Sequence, residues 1–129
     1  MFPVYLVKRF FVVNAFSVNM VEESALVRFK KIDLKQAKAI FDTAKHLFSN
    51  NKENFINAIG HEGTAKIASE LFGENFNVNR VAIKLKTGDA GLIITPNFRL
   101  EEGKIYSYEE LIKLLQEGKI AIYFFEVNA

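Results

Sequence analysis

The chain has 129 residues, half of them hydrophobic, with 13 Phe, 4 Tyr and no Cys, and is expected to form one domain over residues 1–129 that buries roughly two-thirds of its unfolded surface. The absence of Cys excludes thiolate nucleophiles, disulfides and Cys-based zinc sites, and fits a reducing cytoplasmic setting. With 17 Lys plus Arg against 15 Asp plus Glu, the charge is too even to drive non-specific nucleic-acid binding, so any anion affinity depends on local placement.

Two β-rich runs open the chain, Val4 to Ala15 and Leu26 to Phe29. Within the first, Phe10 to Phe16 follows Lys8 and Arg9 but is interrupted by Asn14, and the apolar Val4 to Val7 precedes the charges. That order suits a buried strand and not a signal peptide. No stretch approaches the ~18 continuous apolar residues of a membrane span, so no membrane partner is expected. Asp33 with Gln36 forms a capping box, and Ala37, Ile40, Phe41, Ala44, Leu47 and Phe48 recur at helical spacing behind it. The polar run Ser49 to Asn54 then reads as a surface loop.

Phe55 to Ile59 predicts a short strand, and the residues after His61 predict a helix that turns Ala65, Ala68, Leu71 and Phe72 inward and stops at Gly73. Arg80 to Lys86 alternates apolar and polar, and Lys86-Thr87-Gly88-Asp89 leads into Gly91 to Ile94, which predicts a hairpin. Ser107 with Glu110 makes a second capping box ahead of Leu111, Leu114 and Leu115, with a stop at Gly118 and a closing strand over Ile120 to Val127. The expected fold is α/β: one mixed sheet of five to six strands with three flanking helices.

Common catalytic motifs are missing. There is no Walker loop, no G-x-G-x-x-G and no G-x-S-x-G, and two His without Cys cannot build a multi-histidine metal site in one chain. A carboxylate-held Mg site stays open, with Glu101-Glu102 as the pair that suggests it, although neighbouring carboxylates before a Gly turn more commonly face solvent. No metal or cofactor is assigned. His46 falls between Lys45 and Leu47 on a helix and reads as a surface residue. His61 differs, because it follows Gly60 at the start of a helix, where unpartnered N–H groups and the helix dipole gather negative charge. Two readings stand side by side: an imperfect N-cap, and the titrating group of an anion site. Arg80 and Arg99 are expected at strand ends beside loops, where α/β sheets commonly hold ligands. Asn14, Ser17 and Asn19 lie just past the first strand and are equally compatible with turn chemistry and with ligand contact.

Four segments in order, Asn14-Ala15-Phe16-Ser17-Val18-Asn19-Met20, Ile59-Gly60-His61, Asn79-Arg80-Val81 with Ile83-Lys84, and Arg99-Leu100-Glu101-Glu102-Gly103-Lys104, resemble the viral ring nucleases. These are small anti-CRISPR proteins of archaeal viruses, phages and some bacterial elements. The resemblance runs from about Phe10 to Val127. It implies a homodimer in the host cytoplasm that binds cyclic tetra-adenylate, the second messenger of type III CRISPR systems, and cuts it without metal to linear di-adenylate.

Carried over by position, His61, Arg99 and Glu102 match the catalytic residues, and Asn14, Ser17, Asn19, Gly60 and Arg80 match positions around the ligand. The chain departs from the family pattern in four places. Residues 1–9 form an N-terminal extension, Gly63 stands where many members have serine, Phe98 precedes Arg99, and the loop from Ser49 to Asn54 is longer. Two alternatives remain: a sponge that binds the ring without cutting it, and a small DNA-binding regulator. The second lacks a legible helix-turn-helix or a basic helix face, so DNA binding is not expected.

Overall fold

A computed structural model describes residues 7–128. In chain order the elements are β1 (Arg9–Val13), β2 (Leu26–Ile32), α1 (Leu34–Leu47), β3 (Phe55–Ala58), α2 (Glu62–Phe72), β4 (Asp89–Pro96), α3 (Tyr108–Gln116) and β5 (Ile120–Asn128). The five strands form one sheet in the order β2-β5-β4-β1-β3. β1 runs parallel to both β3 and β4, and β5 runs antiparallel to β4 and β2. Among the described residues no helix is long and apolar enough to cross a membrane.

The central strands are buried on both faces, which is why they read as nearly unbroken apolar runs. Phe10, Val12, Ala90, Leu92, Ile94, Ile120, Ile122 and Phe124 pack on one side with the apolar stripes of the three helices, including Phe41, Ile67, Leu71 and Leu111. Phe11, Val13, Ile93, Phe125 and Val127 form a second cluster on the other side, covered by Phe16, Met20, Ile83 and Leu85. Gly91 is required where these layers meet, because a Cβ there would fall on the Phe11 carbonyl oxygen of the neighbouring strand and on the Phe125 ring.

The helix signals in the sequence operate as local physics dictates. Asp33 accepts from Gln36 N (2.8 Å) while its own N–H reaches Gln36 Oε1 (3.1 Å), and Ser107 and Glu110 repeat the arrangement on α3. Gly73 ends α2 at φ +66°, a left-handed position that a Cβ disfavours. Leu47, expected on the inner stripe of α1, is 39% exposed, and His46 is exposed as expected.

The first strand is shorter than expected: β1 starts at Arg9 and ends at Val13, and residues 4–6 of the expected run lie outside the described residues. β2 runs further than expected, to Ile32.

The expected hairpin does not form. Residues 80–86 contain no strand, and Leu85 makes only an isolated bridge to Val21. The alternation is real, but both edges of β4 are taken, one by β1 and one by β5. The segment therefore lies across the sheet face, where Leu85 is fully buried. Its path is pinned at its C-terminal end by Asp89, which is buried and accepts from Arg9 Nε (2.9 Å), Arg9 Nη2 (2.5 Å) and Lys86 N (2.7 Å).

Candidate active site

Three parallel strands aim their C-terminal ends at one side of the sheet, and each ends on a residue of interest. β1 leads to Asn14, β3 to Gly60 and His61, and β4 to the loop that carries Arg99. The register pairs Val13 with both Ala58 and Ile93, so these exits lie side by side.

His61 is the N-cap of α2. Its backbone is extended (φ −125°, ψ 126°), its carbonyl accepts from Ala65 N (2.9 Å), and its Nδ1 accepts from Thr64 N (3.3 Å). The N-cap reading is thus realised, and the same geometry leaves the exposed ring at the mouth of a cleft. Because Nδ1 is the acceptor, the proton of the neutral ring sits on Nε2. A Cβ on Gly63 would come within 2.8 Å of Leu100 Cδ1 and 3.1 Å of His61 Cε1, so glycine here lets the Arg99 loop close down beside the ring.

The cleft, about 760 Å³, is lined by Asn14, His61, Lys66, Arg80, Arg99, Glu102 and Lys104, among others. It is bounded by the start of α2 on one side and by residues 95–104 on the other. Arg99 and Glu102 are exposed and, among the described residues, form no hydrogen bond or ion pair with the rest of the chain. Both are therefore available to a ligand, and they are not paired with each other.

Lys66 lies 3.6 Å from Glu62 across one turn of α2. Lys104 stands over the Tyr106 ring (4.7 Å) and near Glu110 (3.9 Å). The Ser107 backbone N–H, then its hydroxyl and Lys104, hold the Glu110 carboxyl below the ordinary glutamate range. Among the described residues, no three His, Asp or Glu side chains converge in a way that could hold a metal ion.

The remaining expected site residues divide. Asn14 and Arg80 also line a shallower concavity of about 560 Å³, and Gly60 and Asn19 line that one but not the cleft. Ser17 lines neither. It caps the short turn Val18–Met20, its hydroxyl accepting from Asn19 N (3.3 Å), which is the turn chemistry that Asn and Ser commonly supply. Arg80 does not begin a strand, and Arg99 lies three residues beyond β4 instead of at its end. Lys66 and Lys104 join the cleft without having been singled out by the sequence. Lys104 was visible as the last residue of the Arg99 motif, whereas nothing in the spacing around Lys66 distinguishes it from an ordinary solvated helix lysine.

Residues 10–124 match the family model described as STIV B116-like. The chain belongs to the STIV B116-like family. B116 of Sulfolobus turreted icosahedral virus has the same fold, with a TM-score of 0.80 and 34% identity over 92% of this chain and 98% of that one. Among related sequences, the ORF116 protein of Acidianus filamentous virus 1 is 38% identical over 77 residues, 60% of this chain and 66% of that protein. Protein 26 of Sulfolobus islandicus filamentous virus is 40% identical over 86 residues, 67% of this chain and 69% of that protein. These STIV B116-like relatives are all proteins of viruses.

Proposed function

We propose that this STIV B116-like protein is a metal-independent ring nuclease that binds cyclic tetra-adenylate and cuts it to linear di-adenylate with a 2′,3′-cyclic phosphate, silencing type III CRISPR signalling. The observation that carries the reading is the company His61 keeps: an exposed imidazole on a helix N-terminus, in one cleft with Arg80, Arg99, Lys104 and Glu102. The resemblance of the four ordered segments to viral ring nucleases supplies the substrate class.

In this mechanism a ribose 2′-oxygen attacks the adjacent phosphorus, the bond from phosphorus to the 5′-oxygen breaks, and the departing oxygen takes a proton. As the imidazolium, His61 gives its Nε2 proton to the departing oxygen and is left neutral; the Nδ1 that accepts from Thr64 N in the neutral ring carries a proton in this acid form. Arg99 stabilises the charge on the equatorial phosphate oxygens, and the α2 N-terminus adds its dipole. Glu102 orients Arg99 or His61 once the ligand draws them together, or assists the nucleophile. A homodimer suits a ring of four nucleotides, because a two-fold axis sets two copies of one site against two equivalent phosphates.

The test is incubation with cyclic tri-, tetra- and hexa-adenylate in excess EDTA, with chromatography of the products. Cleavage of the tetra-adenylate to two di-adenylates is expected, and its loss by roughly 10²–10⁴-fold in Arg99→Ala or His61→Ala. Tight binding without products would replace the nuclease with a sponge. Duplex DNA binding that falls steeply with salt, with no affinity for any ring, would favour a regulator.

A further inference from the structure

We propose that Arg80 and Asn14 are positioning residues for His61, acting through the Gly60 peptide groups that lead into the N-cap. This deepens the nuclease reading and, for its catalytic consequence, rests on it.

Every polar backbone group of the two residues before His61 is bonded, and each partner lies outside the sheet ladder. Ile59 N donates to Asn57 Oδ1 (3.0 Å), and the Ile59 carbonyl accepts from Asn79 N (2.8 Å). Gly60 N donates to Asn14 Oδ1 (2.9 Å), and the Gly60 carbonyl accepts from Arg80 Nε (2.8 Å). That carbonyl shares its peptide plane with the His61 nitrogen, so Arg80 fixes the plane from which the imidazole is suspended. Gly60 eases the approach: a Cβ there would stand 3.3 Å from Arg80 Cγ, which would have to give by a few tenths of an ångström.

Gly60 and His61 precede the regular α2 bonds, so no helix ladder fixes the orientation of the Gly60 peptide groups. The bond from Thr64 N to His61 Nδ1 is long at 3.3 Å and weakly restrains the ring by itself. The two side chains brought in from β1 and from the 77–86 segment supply the missing restraint. Arg80 does this with Nε, while the terminal nitrogens of this exposed residue make no hydrogen bond among the described residues and are open to a phosphate. The effect is to keep Nδ1 on the helix and Nε2–H toward the cleft.

The deciding experiment uses the full chain and two readouts. In ligand-free protein, at a pH that keeps both imidazoles neutral, long-range proton–nitrogen correlation spectra report the His61 tautomer, with His61→Asn assigning its signals against His46. Wild type is expected in the Nε2–H form. Arg80→Lys keeps the charge but carries no Nε donor at that position, and Gly60→Ala displaces Arg80 without altering it; both are expected to give mixed tautomers.

In the second readout, the single-turnover rate on the fully bound cyclic tetra-adenylate, measured at saturating protein so that any effect of a lost phosphate contact on Kd does not enter, should fall roughly 10- to 100-fold in Arg80→Lys. Asn14→Ala carries the same two readouts if Arg80→Lys fails to fold. Wild-type tautomer populations in these variants, or weaker binding with an unchanged single-turnover rate, would overturn the proposal. If the wild type cuts no ring, a tautomer shift in Arg80→Lys still upholds the positioning role while the nuclease reading fails.

Discussion

His61 carries two burdens that a pair of substitutions separates. As N-cap it accepts one N–H bond at 3.3 Å, longer than the usual range, so His61→Ala should cost only about 0.5–1 kcal/mol of stability, the low end for a lost cap. His61→Asn supplies an amide oxygen, among the best caps, and should recover that loss and add a few tenths. For a chain of this size the two variants should then differ in Tm by about 3–5 °C, asparagine higher.

Catalysis should show no such rescue. Neither alanine nor asparagine can act as the acid, so both should lose ~10²–10⁴-fold in single-turnover rate, about 3–5 kcal/mol of transition-state stabilisation. The assay is thermal unfolding beside single-turnover cleavage on the same preparations. Wild-type turnover in His61→Asn would remove the imidazole from the chemistry. An asparagine variant less stable than the alanine variant would remove it from the cap.

Two further predictions concern the frame around the site. Asp89→Asn leaves Arg9 without its anionic partner. Because Asp89 is buried but the Arg9 side chain is 32% exposed, the loss should be about 2–3 kcal/mol, less than for a fully buried pair; urea unfolding within about 0.5 kcal/mol of wild type would show the pair to be dispensable. The Glu110 carboxyl should titrate below ordinary glutamate in an NMR titration, and Ser107→Ala, which removes the hydroxyl but keeps the backbone N–H that is the main cause, should move it only part of the way back up. Since the folded value is the depressed one, its contribution is present at neutral pH and is lost as pH falls through that value, so Glu110→Gln should flatten the acid limb of stability.

How much of this was legible depended on whether the signal was local. The capping boxes at Asp33 and Ser107 and the glycine stop at Gly73 involve neighbours within four residues, and the structure reproduces them. The apolar runs of β1, β4 and β5 announced burial but not partners. Residues 80–86 show the difference. Their alternation describes a segment with one buried side, which a strand and a chain laid across a sheet satisfy equally, and the competition for the edges of β4 decided between them. Likewise Ser17 and Asn14 share one motif, yet Ser17 caps its own turn while Asn14 reaches across 46 residues to Gly60.

From the sequence alone come the α/β class, the three helices with their ends, the histidine at the head of the second helix, and the candidate residues Arg99, Glu102 and Arg80. All of these follow from spacing, capping chemistry and the resemblance of ordered motifs. The tertiary structure alone decided that β1, β3 and β4 run parallel and end on the same side, which gathers Asn14, His61 and Arg99 into one cleft. It also decided that Arg80 turns its Nε onto the Gly60 carbonyl. Both are long-range pairings, set by which edges and carbonyls remained unfilled once the sheet had closed on its core, and no local pattern in the chain encodes that outcome.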